Sequence, residues 1–222
     1  MSDAISPKAF REAGGTEDWR VVGDGARAYF VTESFAAGAA FVTAIQERAD
    51  AVGHHPEVDL RYAGVGIRLL SHDIGDLSER DVALAREISE AARELGIRAN
   101  PSAVQSLQIA IDAVDRPAVL RFWQAVLAYE PWGDGEEDIS DPHRLGPNIW
   151  IQQIDAHRPE RNTIHVDLYV PRDQVESRLA AALAAGGRIA SDAGAPDWWT
   201  LADPEGNEVD LAPWRDDSDW VG

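Results

Sequence analysis

Two histidines stand side by side in the run DAVGHHPEV, which spans residues 50–58. His54 and His55 follow a stretch with helical periodicity, and Pro56 restrains His55 to an extended or turn conformation. Imidazole titrates near neutral pH, so a histidine can donate or accept a proton during a reaction. These residue types therefore favour acid–base chemistry such as the loss or addition of water.

Three further polar residues could complete such a site. Asp50 falls in the last turn of the preceding helical stretch, where its charge opposes the helix dipole, and His54 follows four residues later. We therefore expect Asp50 and His54 to be partners. His72 ends a strand-like segment, and Asp81 occupies the third position of the next helix, where an acid is already favourable.

Two other interpretations stay open at this point. Three histidines could hold zinc and leave its fourth position free. Each histidine could also be an ordinary polar residue of a surface turn, which is the common environment of this residue type.

Apolar patterns between residues 19 and 96 predict the elements that carry these side chains. The segments are a hairpin at 19–33, a helix at 34–53, a strand at 58–72 and a helix at 78–96. Gly53 is a natural helix end, Ser78 is a natural N-cap, and the turn around Arg61 leaves room for a further strand pair. This order predicts an α+β domain with helices on one face of an antiparallel sheet.

The second half of the chain contains an internal repeat. LQIAIDA at 107–113 and IHVDLYV at 164–170 each precede a helical stretch, and the two copies end in strands at 148–154 and 207–213. Each copy is too small to bury its own sheet, so we expect a paired module with a shared face. Between the halves, an Asn-Pro interruption predicts domains at 1–97 and 105–214, joined by a linker at 98–104 and followed by an acidic tail at 215–222.

Alignment of the two copies brings a second set of polar residues into register. Gln108 corresponds to His165, and Gln152 falls within one residue of Asp210. Such side chains could bind a divalent metal or a polar substrate, or they could be ordinary polar residues of strands.

Composition excludes several classes of partner. The chain of 222 residues carries a net charge of −19, so we expect it to bind neither nucleic acid nor a membrane surface. It has no cysteine, which excludes disulfides and thiolate nucleophiles. No stretch approaches the roughly 18 apolar residues of a membrane span, and we expect a soluble cytoplasmic protein.

The first half resembles the pterin-4a-carbinolamine dehydratase family over about residues 5–96. The likeness rests on Asp50-x3-His54-His55-Pro56, Tyr62, His72, Asp81, the run SHDIGDLSERDVALA, and Trp19. It implies a four-stranded antiparallel sheet with three helices on one face. It also implies dehydration of a 4a-hydroxytetrahydropterin to the quinonoid dihydropterin, with no cofactor required.

The same resemblance implies roles for individual residues. His54 and His72 would form the acid–base pair, and His55 would help to hold the pterin. Asp50 and Asp81 would orient the imidazoles or shape the pocket.

Three residues, Trp19, Pro56 and Tyr62, are implied to contact the pterin, although Trp19 would serve equally as a core residue. The family usually forms dimers or tetramers, so the resemblance implies a homo-oligomer. A pterin-binding or dimerisation module without turnover is the alternative, since this fold also serves as a protein partner.

The second half resembles the glyoxalase/bleomycin-resistance/extradiol-dioxygenase superfamily (the vicinal oxygen chelate superfamily) over about residues 105–214, in its paired βαβββ form. The likeness rests on FWQAVLAY, NTIHVDLYV, AGGRIA and LADPEGNEVDLAPW. The ligands of metal-binding members are mostly His and Glu, and His165 alone matches outright beside Gln108, Gln152 and Asp210. A metal-dependent enzyme acting through this half is the remaining alternative, because the fold does not determine the reaction.

Overall fold

The computed structural model describes residues 4–117, 119–120, 124, 129–132, 137–156, 164–184, 186–202 and 208–214. The chain forms two compact units that divide between Val104 and Gln105. The predicted tail at 215–222 and most of the helical stretch predicted after LQIAIDA at 107–113 lie outside the described residues. Within the described residues, none of the helices has both the length and the apolar character of a membrane span.

Residues 4–104 form an antiparallel sheet of five strands with three α-helices. The elements are α1 (Pro7–Glu12), β1 (Arg20–Val21), β2 (Ala26–Val31), α2 (Phe35–Val52), β3 (Glu57–Arg61), β4 (Gly64–Leu69), α3 (Glu79–Glu94) and β5 (Arg98–Ala99). The strand order is β1-β2-β4-β3, and β5 pairs with β2. The four strands that the resemblance implies are therefore extended by one short strand.

Helix α2 begins and ends at the predicted residues, and α3 begins at the predicted residue but ends two residues before the predicted end at 96. The Ser34 hydroxyl accepts a hydrogen bond from the Ala37 amide at the start of α2, and Gly53 ends this helix in the left-handed conformation, with φ 61°. Helix α3 begins with a complete capping box. The Ser78 side chain accepts from the backbone of the first turn, and the Asp81 carboxylate accepts from the Ser78 amide.

Two segments differ from the prediction. The segment predicted as one strand at 58–72 folds as the hairpin of β3 and β4, with its turn at Tyr62 and Ala63, so the further strand pair near Arg61 is present. The segment predicted as a linker at 98–104 belongs to the first unit, because it contributes β5 and a 3-10 turn at Pro101–Ala103. Backbone pairing with β2 satisfies polar groups that a free linker would leave to water.

The core of the first unit lies between the sheet and its helices. Phe30 of β2 packs edge-on against Phe41 of α2, with ring centroids 5.1 Å apart. Trp19 contacts Phe30 as well and is 3% exposed. Its indole N–H donates to the Ala85 carbonyl and the Ser89 hydroxyl of α3, so this tryptophan links the first strand to the helix layer.

The second unit is built on an eight-stranded mixed sheet of order β11-β12-β13-β10-β6-β9-β8-β7. Its elements are β6 (Ser106–Ala113), β7 (Glu130–Trp132), β8 (Asp138–Ser140), β9 (Asn148–Gln153), β10 (Ile164–Val170), α4 (Val175–Ala184), β11 (Arg188–Ser191), β12 (Trp199–Ala202) and β13 (Glu208–Pro213). The two copies meet at the antiparallel pair of β6 and β10. The paired module predicted from the repeat is confirmed.

Alternation along the strands gives this sheet two different faces. One face carries the apolar side chains that form two buried clusters, around Ile111, Ile149 and Ile151 in the first copy and around Val170 and Leu211 in the second. The opposite face, here called the polar face, carries side chains of the intervening positions. They include Gln108, Asp112, Asp138, Gln152, His165, Asp167 and Asp210.

Candidate functional site

The centre of the first candidate site is a buried pair formed by His54 and Asp81. His54 is the first residue after Gly53, and its amide donates to the Ala49 carbonyl of α2, so the chain reverses and turns the imidazole inward. His54 is 8% exposed and Asp81 is fully buried. The Nε2 atom of His54 lies 2.8 Å from the Oδ1 atom of Asp81.

The second oxygen of Asp81 is held by three donors from two segments. Its Oδ2 accepts from the Ser78 amide at 2.8 Å, from the Ser71 hydroxyl at 2.7 Å and from the Ser78 hydroxyl at 3.2 Å. Asp81 is therefore the helix-start acid expected from the sequence and, at the same time, the partner of His54.

Asp50 pairs with His55, which corrects the expected partnership with His54. The Nε2 atom of His55 lies 2.8 Å from Oδ1 of Asp50, and Gln46 donates to the other oxygen. The hydrogen bond from His55, followed by that from Gln46, lowers the pKa of the Asp50 carboxyl. Both side chains of the pair are more than half exposed, because Gly53 directs His54 inward and leaves His55 on the surface.

His72 lies in an exposed turn beside this buried pair. It follows the fully buried Ser71, whose hydroxyl bonds Asp81, and Ser71 and Asp76 form an isolated bridge that closes the turn. In the same turn, Asp73 accepts from Arg80 at 2.6 Å. This hydrogen bond is the largest cause that lowers the pKa of Asp73. The three histidines therefore occupy neighbouring segments, with His54 buried and the other two exposed.

The three residues implied to contact a pterin lie in different places. Pro56 is half-buried directly before β3, next to the histidines. Tyr62 is 71% exposed at the tip of the hairpin, and the six-residue spacing puts it about 20 Å from Pro56 along the strand. Trp19 lies in the core, in contact with Phe30 and hydrogen-bonded to helix α3, which is the structural role left open for it beside the pterin contact.

Ser71 was not predicted from the sequence. A serine at the end of a strand does not by itself indicate a functional site. Ser71 becomes part of the site only because helix α3 brings Asp81 within reach of its hydroxyl. Ser78 was predicted as an N-cap, and the S-x-x-D spacing to Asp81 was the one signal that a hydroxyl would meet this carboxylate.

The second unit brings together His165, Asp167 and Asp210 on its polar face. One potential ligand atom of each lies within 4.8 Å of the other two. Asp167 is directly opposite Asp210 in the parallel pair of β10 and β13, and His165 is two residues earlier on the same face of β10. The Thr200 hydroxyl donates to Oδ1 of Asp210 at 2.6 Å and fixes that side chain.

Asp112 adds a third carboxylate on the neighbouring strand β6. Its Oδ1 atom lies 3.5 Å from Nδ1 of His165, and Nε2 of the same ring lies 3.8 Å from Oδ1 of Asp167. The pKa of Asp167 is raised to about 6, and burial is the largest cause. The His165 imidazole acts in the opposite direction, and the neighbouring carboxylates of Asp210 and Asp112 contribute to the rise.

The two glutamines predicted beside His165 and Asp210 are not part of this cluster. Gln108 is directly opposite Asp167, but its amide donates to Oδ1 of Asp138 at 3.0 Å, within the first copy and away from the cluster. Gln152 is directly opposite Asp112 in the pair of β6 and β9. The structure therefore groups Asp112 and Asp167 with the predicted His165 and Asp210. The sequence signal for Asp167 was its spacing of two residues from His165 on one strand, which places both on the same face.

Comparisons with known proteins agree with this division of the chain. The profile of the family Pterin 4 alpha carbinolamine dehydratase matches residues 3–91, and that of the Glyoxalase-like domain matches residues 108–212. A protein of Nocardia farcinica, assigned by name to pterin-4-alpha-carbinolamine dehydratase, is 42% identical over 76 residues, which cover 34% of this chain and 80% of the relative. A protein of Thermomicrobium roseum with the same assignment is 35% identical over 92 residues, covering 41% and 96%.

Among solved structures, the transcriptional coactivator/pterin dehydratase of Brucella melitensis is similar to the chain at 24% identity and a TM-score of 0.33. The match covers 34% of this chain and 83% of the Brucella chain. The curated relatives and the family profile together define the class as α+β proteins that carry a pterin dehydratase domain. The chain belongs to the pterin-4a-carbinolamine dehydratase family, and a glyoxalase-like domain is fused to its dehydratase domain.

Proposed function

We propose that the first unit catalyses dehydration of a 4a-hydroxytetrahydropterin, with His54 and His72 as the groups that move protons. In this reaction the bond between C4a and its hydroxyl breaks, the hydroxyl leaves as water with an added proton, and a ring N–H loses a proton to form the quinonoid dihydropterin. The observation that carries the proposal is the buried hydrogen bond between His54 and Asp81, in a domain whose relatives bear the dehydratase name.

The contacts of Asp81 determine which nitrogen of His54 carries the proton. Oδ2 of Asp81 accepts from Ser71 and Ser78, which leaves Oδ1 as the acceptor that faces Nε2 of His54. The Nε2 atom of His54 is therefore the donor, and the lone pair of the neutral ring is on Nδ1. His54 is suited to accept a proton at Nδ1, and the resulting imidazolium would be stabilised by Asp81.

His72 is suited to the complementary step because it is exposed. An imidazole in contact with solvent can take up a proton from water between turnovers and supply it to the departing hydroxyl. His55 also faces solvent and is oriented by Asp50. Its surface position next to Pro56 supports a role in holding the substrate.

The decisive test is turnover by the full chain. Chemically generated 4a-hydroxytetrahydropterin is mixed with the protein, and formation of the quinonoid product is followed by its ultraviolet absorbance. We expect wild type to accelerate the reaction over buffer, and His54→Ala or His72→Ala to reduce kcat by about 10²–10⁴-fold.

His165→Ala is the matched control, because it removes an imidazole from the second unit. We expect it to leave dehydration unchanged. Wild-type protein that binds a reduced pterin but does not accelerate the reaction would instead support a pterin-binding module without turnover.

A homo-oligomer is part of the proposal, and the edge of the first sheet supports it. Strand β3 is the last strand of the order β1-β2-β4-β3, and Val58 on this strand and Tyr62 at its end are exposed. Edge strands offer backbone groups and apolar side chains to a second copy. Light scattering of the full chain should give a mass of at least twice 24.2 kDa, and a monomer at micromolar concentration would contradict this part of the proposal.

A further inference from the structure

We propose that His165, Asp167 and Asp210 bind a divalent metal cation on the polar face of the second unit, and that Asp112 positions the imidazole of His165 toward it. This site is independent of the dehydration proposed for the first unit. Its ligand set differs from the one implied by the glyoxalase-like resemblance, in which Gln108 and Gln152 stand beside His165 and Asp210.

The first argument is the charge of the cluster. Three carboxylates lie next to one imidazole, and within the described part of the chain no lysine or arginine forms an ion pair with any of the three. Asp112 and Asp167 are 8% and 6% exposed, so water screens them poorly. Buried charges in proteins are either paired or bound to metals, and a divalent cation supplies the missing positive charge.

The second argument comes from a buried oxygen of Asp167. Its Oδ2 atom is inaccessible to solvent and has no hydrogen-bond partner among the described residues. Oδ1 of Asp112 is likewise buried, but Nδ1 of His165 lies 3.5 Å from it, so the imidazole and not the cation is its partner. Most buried polar atoms are hydrogen-bonded, and an ion accounts for an exception that lies within a cluster of acids.

The third argument is the arrangement of the ring nitrogens. Nε2 of His165 is on the side of Asp167, and Nδ1 is on the side of Asp112. Metal-binding histidines usually donate their second N–H to a carboxylate, which fixes the ring and its tautomer. With Nδ1–H directed at Asp112, the lone pair on Nε2 is directed toward Asp167 and Asp210. Asp112 is thus a positioning residue.

The separations are compatible with one ion. Two atoms that each bind the same cation at about 2.1 Å lie no more than about 4.2 Å apart. The separation of 3.8 Å between His165 and Asp167 is already within this limit, and the whole group spans at most 4.8 Å, so small rotations of the side chains suffice. Two carboxylates and one imidazole form an oxygen-rich set that suits Mn²⁺ or Fe²⁺, with further coordination positions left for water or a small oxygenated ligand.

The test is metal binding by the full chain, without any assay of activity. Protein treated with chelator and then dialysed is titrated with MnCl₂, and the free Mn²⁺ is measured by its electron paramagnetic resonance signal. We expect one ion per chain, a rise in melting temperature on binding, and at least a tenfold loss of affinity in Asp167→Asn and in Asp210→Asn. Asp112→Asn should weaken binding by about tenfold, since it removes a partner of a ligand.

Two control variants distinguish this site from a glutamine-containing ligand set and from diffuse association with an acidic surface. Gln152→Ala removes a member of the set implied by the resemblance, and Asp59→Asn removes an exposed charge from the first unit. We expect each to change the affinity less than threefold. Circular dichroism confirms that each variant is folded, and Asp210→Asn carries the test should Asp167→Asn not fold.

Three outcomes would overturn the proposal. Wild type could fail to bind Mn²⁺ at a defined ratio, which would leave the cluster without a cation. Asp167→Asn and Asp210→Asn could both retain full affinity, or Asp59→Asn could weaken binding as much as they do, which would indicate diffuse association. Loss of binding in Gln152→Ala, with retention in Asp167→Asn, would establish the implied glutamine set instead.

Discussion

Asp81 in the first unit and Asp167 in the second are both buried carboxylates next to a histidine, yet their surroundings are opposite. Asp81 receives hydrogen bonds from His54, Ser71 and Ser78 on its two oxygens. Asp167 faces the carboxylates of Asp112 and Asp210, and one of its oxygens has no hydrogen-bond partner among the described residues. The first site is complete in the folded chain, whereas the second has a surplus of negative charge that a cation would balance.

A third buried carboxylate shows that the first unit also neutralises charge away from its site. Asp24, in the turn between β1 and β2, pairs with Arg68 of β4 and with Arg27 of β2. Burial alone would raise the pKa of Asp24, but the charges of these two arginines outweigh it, and the pKa lies below its ordinary value. The pKa values of two carboxylates of similar burial, Asp24 and Asp167, therefore shift in opposite directions because arginines face the first and carboxylates face the second.

The largest effect is expected for Asp81→Asn, which tests whether the first site needs the carboxylate of Asp81 to hold the proton of His54 on Nε2. An amide N–H of the new side chain can donate to Nε2 of His54 and move the imidazole proton to Nδ1, which leaves no base there. We expect kcat for dehydration to fall by about 10³-fold with little change in KM. The measurement is steady-state kinetics, with Asp59→Asn as a control of equal charge; equal kinetics for the two variants would contradict the role of Asp81.

Asp24→Asn tests whether pairing with arginine is what stabilises buried carboxylates in the first unit. It leaves part of the buried Arg68 charge uncompensated, and we expect a loss of about 3 kcal/mol in the free energy of unfolding at pH 7. Because the folded pKa of Asp24 is lowered, its stabilising contribution is present above the unfolded pKa near 3.8 and is lost as pH falls through the lower folded value.

Urea unfolding of wild type and Asp24→Asn at several pH values checks this prediction. The difference between the two proteins should be constant from pH 7 to about pH 5 and should shrink below pH 4. A difference that grows on acidification would show that Asp24 is not stabilised as the anion.

Asp167→Asn should raise the free energy of unfolding, whereas Asp24→Asn should lower it. This difference in sign is the sharpest test of the contrast between the units. In metal-free protein it removes a buried charge that faces two other carboxylates. A pKa raised from 3.8 to about 6 corresponds to roughly 2–3 kcal/mol of stability gained at pH 7 on removal of the charge. Thermal unfolding in the presence of chelator, followed by tryptophan fluorescence, should show a higher melting temperature, and a lower one would contradict the surplus of charge.

The smallest effect is expected for Asp50→Asn, which disrupts the exposed pair with His55. Exposed ion pairs contribute little to stability, so the melting temperature should not change. If the pair orients His55 toward the substrate, KM for the pterin should rise by roughly threefold while kcat is retained, as expected for loss of one exposed contact. A change in kcat larger than that in KM would place His55 among the groups that move protons.

Several features of both units could be predicted from local sequence because they depend on neighbours along the chain. The N-caps at Ser34 and Ser78 and the end of α2 at Gly53 follow from hydrogen bonds and backbone preferences within one turn. The repeat around β6 and β10 was likewise visible, because each copy repeats the same apolar alternation. Residue type and position along the chain brought His54 and Asp81 into consideration, and alignment of the two copies brought His165 and Asp210.

The sequence alone determined which residues of the two sites can carry a proton or a cation, and in which elements they lie. Only the tertiary structure decided which of them meet. Asp50 is four residues before His54, but the left-handed Gly53 turns His54 toward Asp81 and leaves Asp50 to His55. Asp112 reaches His165 because the register of β6 and β10 is set by contacts between distant segments. Local propensity cannot specify such pairings, since they depend on how two faces pack.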